Sequence, residues 1–275
     1  MTEARIASLH VYPIKGCRGV DIDAADVVAT GLAARGAGDR EWMIVDDSGR
    51  FLTQRELPRL ALVSVAIAND ALNLKAPHMR ECEVPFATDG ASRSVVVWRS
   101  DVRGFDAGDD AAAWLSDWLA KEVRLVRFDR SVTRLCNPEF AGDSGAHTMF
   151  ADGYPVLVVS KASLADLNDR LPTPLPMNRF RPNIVLDGLP PYDEDHLDTI
   201  AIGDVVLRCV KPCTRCQVTT TDQQTAKVGV EPLRTLGEYR MDPRLEGVTF
   251  AMNAIVIAGG TIRSGDRVAV EYRFD

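Results

Sequence analysis

Three of the chain's six cysteines crowd into one short stretch, Cys209-Val-Lys-Pro-Cys213-Thr-Arg-Cys216, while Cys17, Cys82 and Cys136 stand apart. Crowded thiols support several chemistries. A closed zinc site takes four ligands, usually as two close pairs. No second pair exists, and the histidines are scattered at positions 10, 78, 147 and 196, so zinc fits poorly. Cysteines spaced four and then three apart also occur in iron–sulfur radical enzymes that use S-adenosylmethionine. There the motif follows the first strand of a helix-rich barrel, whereas here it lies late in a chain with few helical segments. A dithiol redox pair, Cys213 with Cys216, needs a helix opening at its first cysteine. The run Val218-Thr-Thr-Thr221 is β-branched and predicts strand instead. A single thiolate could instead ligate a soft metal carried by an organic cofactor, with Arg215 and Lys211 favouring its charged form. Cys209 ends the alternating run Val205, Leu207, Cys209, where a buried structural thiol is expected. Spacing alone also leaves open that the other thiols are buried and without a role.

The elements that must position these thiols are mostly short strands. Ile6 to Tyr12, Glu41 to Val45, Leu60 to Ala66, Arg93 to Val97 and Val123 to Val126 are rich in β-branched and aromatic residues. After a loop from about Ser131 to Tyr154 the same holds for Val156 to Val159, Ile184 to Leu186, Ile200 to Ile202, Val205 to Cys209, Met252 to Ile257 and Arg267 to Glu271. Gly203-Asp204 and Gly265-Asp266 each precede a strand and suit hairpins. Three helices are expected. Asp110 to Ala120 places Trp114, Leu115, Trp118 and Leu119 on one face. Ser163 to Leu171 begins with Ser163 and Asp166 in the manner of a capping box. Leu233 to Tyr239 follows Pro232. Many short strands with few helices predict a mainly β fold with some α, its sheets closed into barrels. The boundary between two tightly packed units falls after the first helix, giving 1–122 and 123–275.

The whole chain narrows the classes further. Its 275 residues are 46% hydrophobic and 26% charged, an ordinary globular balance. A net charge of −7 opposes nonspecific attraction to nucleic-acid phosphates but permits a local basic pocket. Met1 to His10 carries Glu3 and Arg5 without an apolar stretch, so no signal peptide is expected. Leu60 to Ala68 and Ala251 to Ala258 fall short of the ~20 residues that span a bilayer. The expectation is a cytoplasmic protein, associated with neither membrane nor nucleic acid, whose cysteines are thiols.

The surroundings of the cluster carry a resemblance. Lys211-Pro-Cys-Thr-Arg-Cys216-Gln-Val-Thr-Thr-Thr-Asp222, then Glu231-Pro-Leu-Arg-Thr-Leu-Gly-Glu-Tyr-Arg240, resembles the signature of MOSC-domain proteins. The match is to the branch of the mitochondrial amidoxime reducing component and its bacterial YcbX-type relatives. Three further blocks agree in order: Val11-Tyr-Pro-Ile-Lys-Gly-Cys-Arg-Gly19; Asp39-Arg-Glu-Trp-Met-Ile-Val45; and Ala162-Ser-Leu-Ala-Asp-Leu-Asn168 with Asn178-Arg-Phe-Arg-Pro-Asn183.

This resemblance implies an N-terminal MOSC-type β-barrel domain packed on a C-terminal MOSC β-barrel domain. It implies a molybdenum-pyranopterin cofactor with Cys216, the cysteine before the threonine run, as metal ligand and catalytic centre. Cofactor-binding positions of the family map onto Lys15, Arg40, Arg181 and Asn183, with Thr214 beside the ligand. Arginine grips phosphate bidentately, and lysine acts as a point charge. Gly16 stands where some members carry serine, so a backbone N–H would replace that side-chain bond. Asp222 and His147 are acid–base candidates, and Tyr154 lies near a pocket-lining segment. The implied reaction reduces hydroxylamines, amidoximes or N-hydroxylated bases, removing oxygen at molybdenum. No ferredoxin domain like that of several bacterial relatives is expected after the Arg267 to Glu271 strand. Electrons are therefore expected from a separate flavoprotein reductase or ferredoxin-like protein, delivered to a monomer. The alternative is a cofactor carrier or sulfur-handling protein using Cys216, and at family level an association with pyridoxal phosphate also attaches.

Overall fold

The computed structural model describes residues 3–68, 70–87 and 90–273. The fold is mainly β, as the strand pattern predicts. One large sheet runs in the order Val20–Ile22, Arg5–Val11, Ile184–Asp187, Val156–Ser160, Gly247–Ala258, Val205–Thr214, Leu197–Ile202, Ala269–Tyr272. Its parallel pair, Val156–Ser160 with Ile184–Asp187, is bridged by the helix Lys161–Arg170, the crossover that parallel strands require. A second sheet joins Ser92–Val97, Ser100–Asp106, Arg124–Phe128 and Trp42–Val45. Ser64–Ala68, Ala71–Lys75 and Cys82–Pro85 form a third.

The two halves are laced together rather than apposed. Arg5–Val11 lies against Ile184–Asp187 in the large sheet, and Ala24–Val28 pairs with Gly260–Arg263. Arg124–Phe128 pairs back with Trp42–Val45. One apolar core accordingly draws on both ends of the chain, from Ile6, Leu9 and Ile14 to Leu207, Met252 and Ile262, all buried.

The helix Asp109–Leu119 buries Trp114, Leu115, Trp118 and Leu119, with Asp109 and Asp110 at its positive end, where the dipole favours them. Each indole finds a carbonyl: Trp114 donates to Arg80 and Trp118 to Arg59. Four expectations are corrected. Leu60 lies in the short 3-10 helix Pro58–Leu62, and the strand begins only at Ser64. The cap of Lys161–Arg170 is Ser160, whose hydroxyl accepts from Ala162 N. Ser163 is buried and gives its hydroxyl to Glu194 instead. Gly203-Asp204 does turn a hairpin, but the strands on either side of Gly265-Asp266 pair with other partners. That Gly-Asp is a turn closed on itself by Arg263 N to Asp266 Oδ2. The third helix is shorter than expected, Leu233–Gly237. Among the described residues no helix is long and apolar enough to cross a membrane.

Candidate functional site

The cysteine segment reaches the surface on an irregular strand. Val205–Thr214 pairs with Gly247–Ala258, and the register shifts three times, the last between Pro212 and Thr214. Proline has no N–H for a ladder and is tolerated at such shifts, which re-aim side chains beside functional sites. Cys209 keeps the expected buried place, and burial pushes its thiol up to about 12. Cys213 is half-buried, whereas Cys216 is exposed. Cys216 caps the 3-10 helix Gln217–Thr220, so the threonine run is not the strand that its β-branching predicts. The hydroxyls supply the reason: Thr219 Oγ1 donates to Cys216 O and Thr220 Oγ1 to Gln217 O, at 2.9 and 2.8 Å. Threonine can make this bond to a preceding carbonyl within a helical turn.

Cys216 and Cys213 open on a cavity at the surface. Lys15, Arg40, Arg181, Asn183 and Thr214 line the same cavity, so all six residues singled out by the sequence come together. Gly16 lines it too, with a φ of +85° that glycine adopts without steric cost. The cationic wall is built around Asp39, 1% exposed. Its carboxylate accepts from Tyr12 N at 2.8 Å, Asn183 Nδ2 at 2.9 Å and Arg40 Nη1 at 2.5 Å. The Arg40 and Arg181 guanidinium carbons lie 4.4 and 4.3 Å from the Tyr12 ring centre.

These cations are not equivalent. Burial would lower the Arg40 pKa, but Asp39 and Tyr12 outweigh it and hold the group charged. Lys15 Nζ is already met by Asp152 at 2.5 Å and by Phe150 O at 2.9 Å. Burial still pulls its pKa down against the Asp152 charge. Asp152 lines the cavity with an exposed side chain. Desolvation by its neighbours would raise its pKa; the Lys15 ammonium and the Trp98 N–H overcome it and hold the carboxyl below its ordinary range. Arg181 has no ion pair among the described residues. Nη1 donates to Cys17 O at 2.6 Å, and buried Nη2 has no partner. Burial, then repulsion from Arg40, lowers its pKa to about 10. Such an uncompensated guanidinium is costly unless an anion completes it.

Other expectations change. Arg215 Nη1 donates to Cys213 Sγ at 2.9 Å, so its charge attends Cys213. Lys211 turns onto the Phe140 ring, 4.5 Å from its centre, and lies outside the cavity lining. Asp222 and His147 are also outside that lining. Asp222 pairs with Arg179 at 2.9 Å and caps the turn at Gln224 and Thr225. Tyr154 lines the cavity with a buried, unpartnered hydroxyl. Sequence reasoning missed Arg134, which lies nine-tenths buried. It donates to Met149 O, Ala151 O and Asp152 O, while Lys15 takes Phe150 O. Two cations thus hold four successive carbonyls beneath the cavity mouth. Nothing in the local sequence marks Arg134, since its partners lie 15–18 residues away in an irregular loop. Among the described residues no group of three or more His, Cys, Asp or Glu side chains could hold a metal.

The fold is mainly β, and its exposed thiol Cys216 shares a cationic cavity with half-buried Cys213. Residues 3–122 match the family model of the MOSC N-terminal beta barrel domain, and residues 145–269 match that of the MOSC domain. Over 279 residues the chain is 36% identical to "Mitochondrial amidoxime reducing component 2" of Bos taurus, covering 96% of this chain and 82% of that protein. It is 36% identical over 276 residues to "Mitochondrial amidoxime-reducing component 1" of Homo sapiens, with the same coverage. The chain belongs to the amidoxime reducing component family of MOSC-domain proteins.

Proposed function

We propose that this protein is a molybdenum-cofactor-dependent reductase of N-hydroxylated compounds: hydroxylamines, amidoximes or N-hydroxylated bases. The observation that carries the reading is the pairing, in one cavity, of exposed Cys216 with buried Arg181, whose Nη2 lacks any partner. Those residues fit a ligand that ends in a phosphate and offers a soft metal at its other end. A thiolate is a soft donor, and guanidinium matches phosphate in a fork. Arg181 and Arg40 would hold the phosphate, with Asn183 and Asp39 fixing Arg40. Lys15, already paired with Asp152, would contribute N–H donors more than net charge. Arg215 is occupied by Cys213 Sγ and Phe180 O, and Cys216, the exposed thiol of the two, would be the metal ligand. Thr214 stands exposed beside it. When bound, the cofactor supplies the two-electron chemistry that removes oxygen from an N–O bond. Electrons come from a separate electron-transfer protein, and the site belongs in a reducing compartment that keeps Cys216 a thiol.

Metal analysis of the purified protein tests the ligand. Near-stoichiometric molybdenum that is lost in Cys216→Ala and kept in Cys213→Ala is expected. Retention in Cys216→Ala overturns the assignment. The reaction is tested with benzamidoxime and an artificial electron donor. Absence of turnover by molybdenum-loaded protein across several N-hydroxylated substrates would move the reading to a cofactor carrier or sulfur-handling protein.

A further inference from the structure

We infer that Trp98, with Arg55, forms a lip on which the flat, uncharged aromatic part of a substrate stacks, so that Trp98 sets specificity; this rests on the reductase reading above. Strands Ser92–Val97 and Ser100–Asp106 are joined by the two residues Trp98 and Arg99, with Val97 facing Ser100. Trp98 has a φ of +57°, where glycine, asparagine or aspartate is the low-cost choice in a hairpin turn. The residue is also 44% exposed. The turn itself gains nothing from a tryptophan, and the core gains little.

What the indole does is face the cavity. Trp98 and Arg55 line it together with Asp152, Lys15 and Cys216. The ring is braced by Phe51, centres 5.0 Å apart and planes at 56°, and Nε1 donates to Asp152 Oδ1 at 2.9 Å. The Arg55 guanidinium carbon lies 4.8 Å from the ring centre. An indole and a planar guanidinium are the two side-chain surfaces that best stack flat π systems. Arg55, with Lys15 and Arg40 on the same cavity, disfavours a cation there. The geometry therefore selects aryl or heteroaryl N-hydroxyl compounds that are neutral at working pH.

The experiment compares cofactor-loaded wild type, Trp98→Ala and Trp98→Phe on benzamidoxime and on hydroxylamine, which has no ring. The readout is the ratio of kcat/KM for the two substrates. Trp98→Ala lowers that ratio about tenfold, mainly through KM for benzamidoxime. Trp98→Phe keeps most of the ratio, because a ring survives without the N–H to Asp152. Equal losses on both substrates would overturn the lip and leave Trp98 as a brace for Asp152. An unchanged ratio in Trp98→Ala would also overturn it. Binding is read separately, without an electron donor, by tryptophan fluorescence, since Trp42, Trp114 and Trp118 are buried. Saturable quenching by benzamidoxime is expected in wild type and not in Trp98→Phe. If wild type turns over neither substrate, the reductase reading fails while this titration still decides the lip: no quenching in wild type refutes it.

Discussion

Replacing Asp39 by asparagine removes one negative charge at the junction of the two halves and keeps the side chain's shape. The carboxylate accepts three hydrogen bonds, from Tyr12 N, Asn183 Nδ2 and Arg40 Nη1. An amide offers one oxygen, so its NH2 must face either Arg40 or Asn183, donor against donor. Arg40, 14% exposed at its side chain, is then left buried without a counter-charge and beside Arg181. Breaking a buried pair from one side costs about 3 kcal/mol or more. At ~2–4 °C per kcal/mol for a chain of this size, the midpoint falls by about 6–12 °C. The asymmetry gives a sharper signature. Arg40→Met alone also destabilises, yet the double variant Asp39→Asn with Arg40→Met loses less than the sum, by about 1–2 kcal/mol, because no unpaired charge remains. Differential scanning calorimetry of the four proteins checks this. A midpoint for Asp39→Asn within about 2 °C of wild type, or strict additivity, refutes the claim that Asp39 neutralises Arg40.

Glu194 makes stability fall as pH rises. It is fully buried, and burial pushes its pKa up to about 7 against the donors Ser163 Oγ and Ser160 N. The folded state therefore binds the proton more tightly than the unfolded chain, whose carboxyl titrates near 4.5. The contribution is whole below that value and is lost as pH climbs to about 7, amounting to at most ~3 kcal/mol. Glu194→Gln removes this slope, so melting curves from pH 5 to 8 should show its midpoint gaining on wild type; a constant gap contradicts the assignment. Arg134→Met strips the carbonyls of Met149, Ala151 and Asp152 of their donor, a loss of about 2–4 kcal/mol. Amide exchange should then accelerate in residues 149–152, and unchanged protection there would show that the loop holds itself.

Elements that obey a short repeat are legible in the chain alone. Alternation marks Val205, Leu207 and Cys209, and the spacing of Trp114, Leu115 and Trp118 marks a helix, because facing sides recur every two or 3.6 residues. The ordered motif blocks likewise brought Lys15, Arg40, Arg181, Asn183, Thr214 and Cys216 to one cavity, as observed. Local pattern failed where a distant partner took over the group. Ser163 left the helix cap for Glu194, 31 residues on, and the threonine run gave up strand for hydroxyl bonds to its own carbonyls. Electrostatics was least legible. That Lys15 is spent on Asp152, 137 residues away, that Arg215 serves Cys213, and that Arg181 keeps an unpartnered N–H all depend on which segments the two interlaced halves bring within reach. Charge acts over a few ångströms of space, not of sequence. The chain alone therefore names the cations, and only the packed fold decides which of them are left for a ligand.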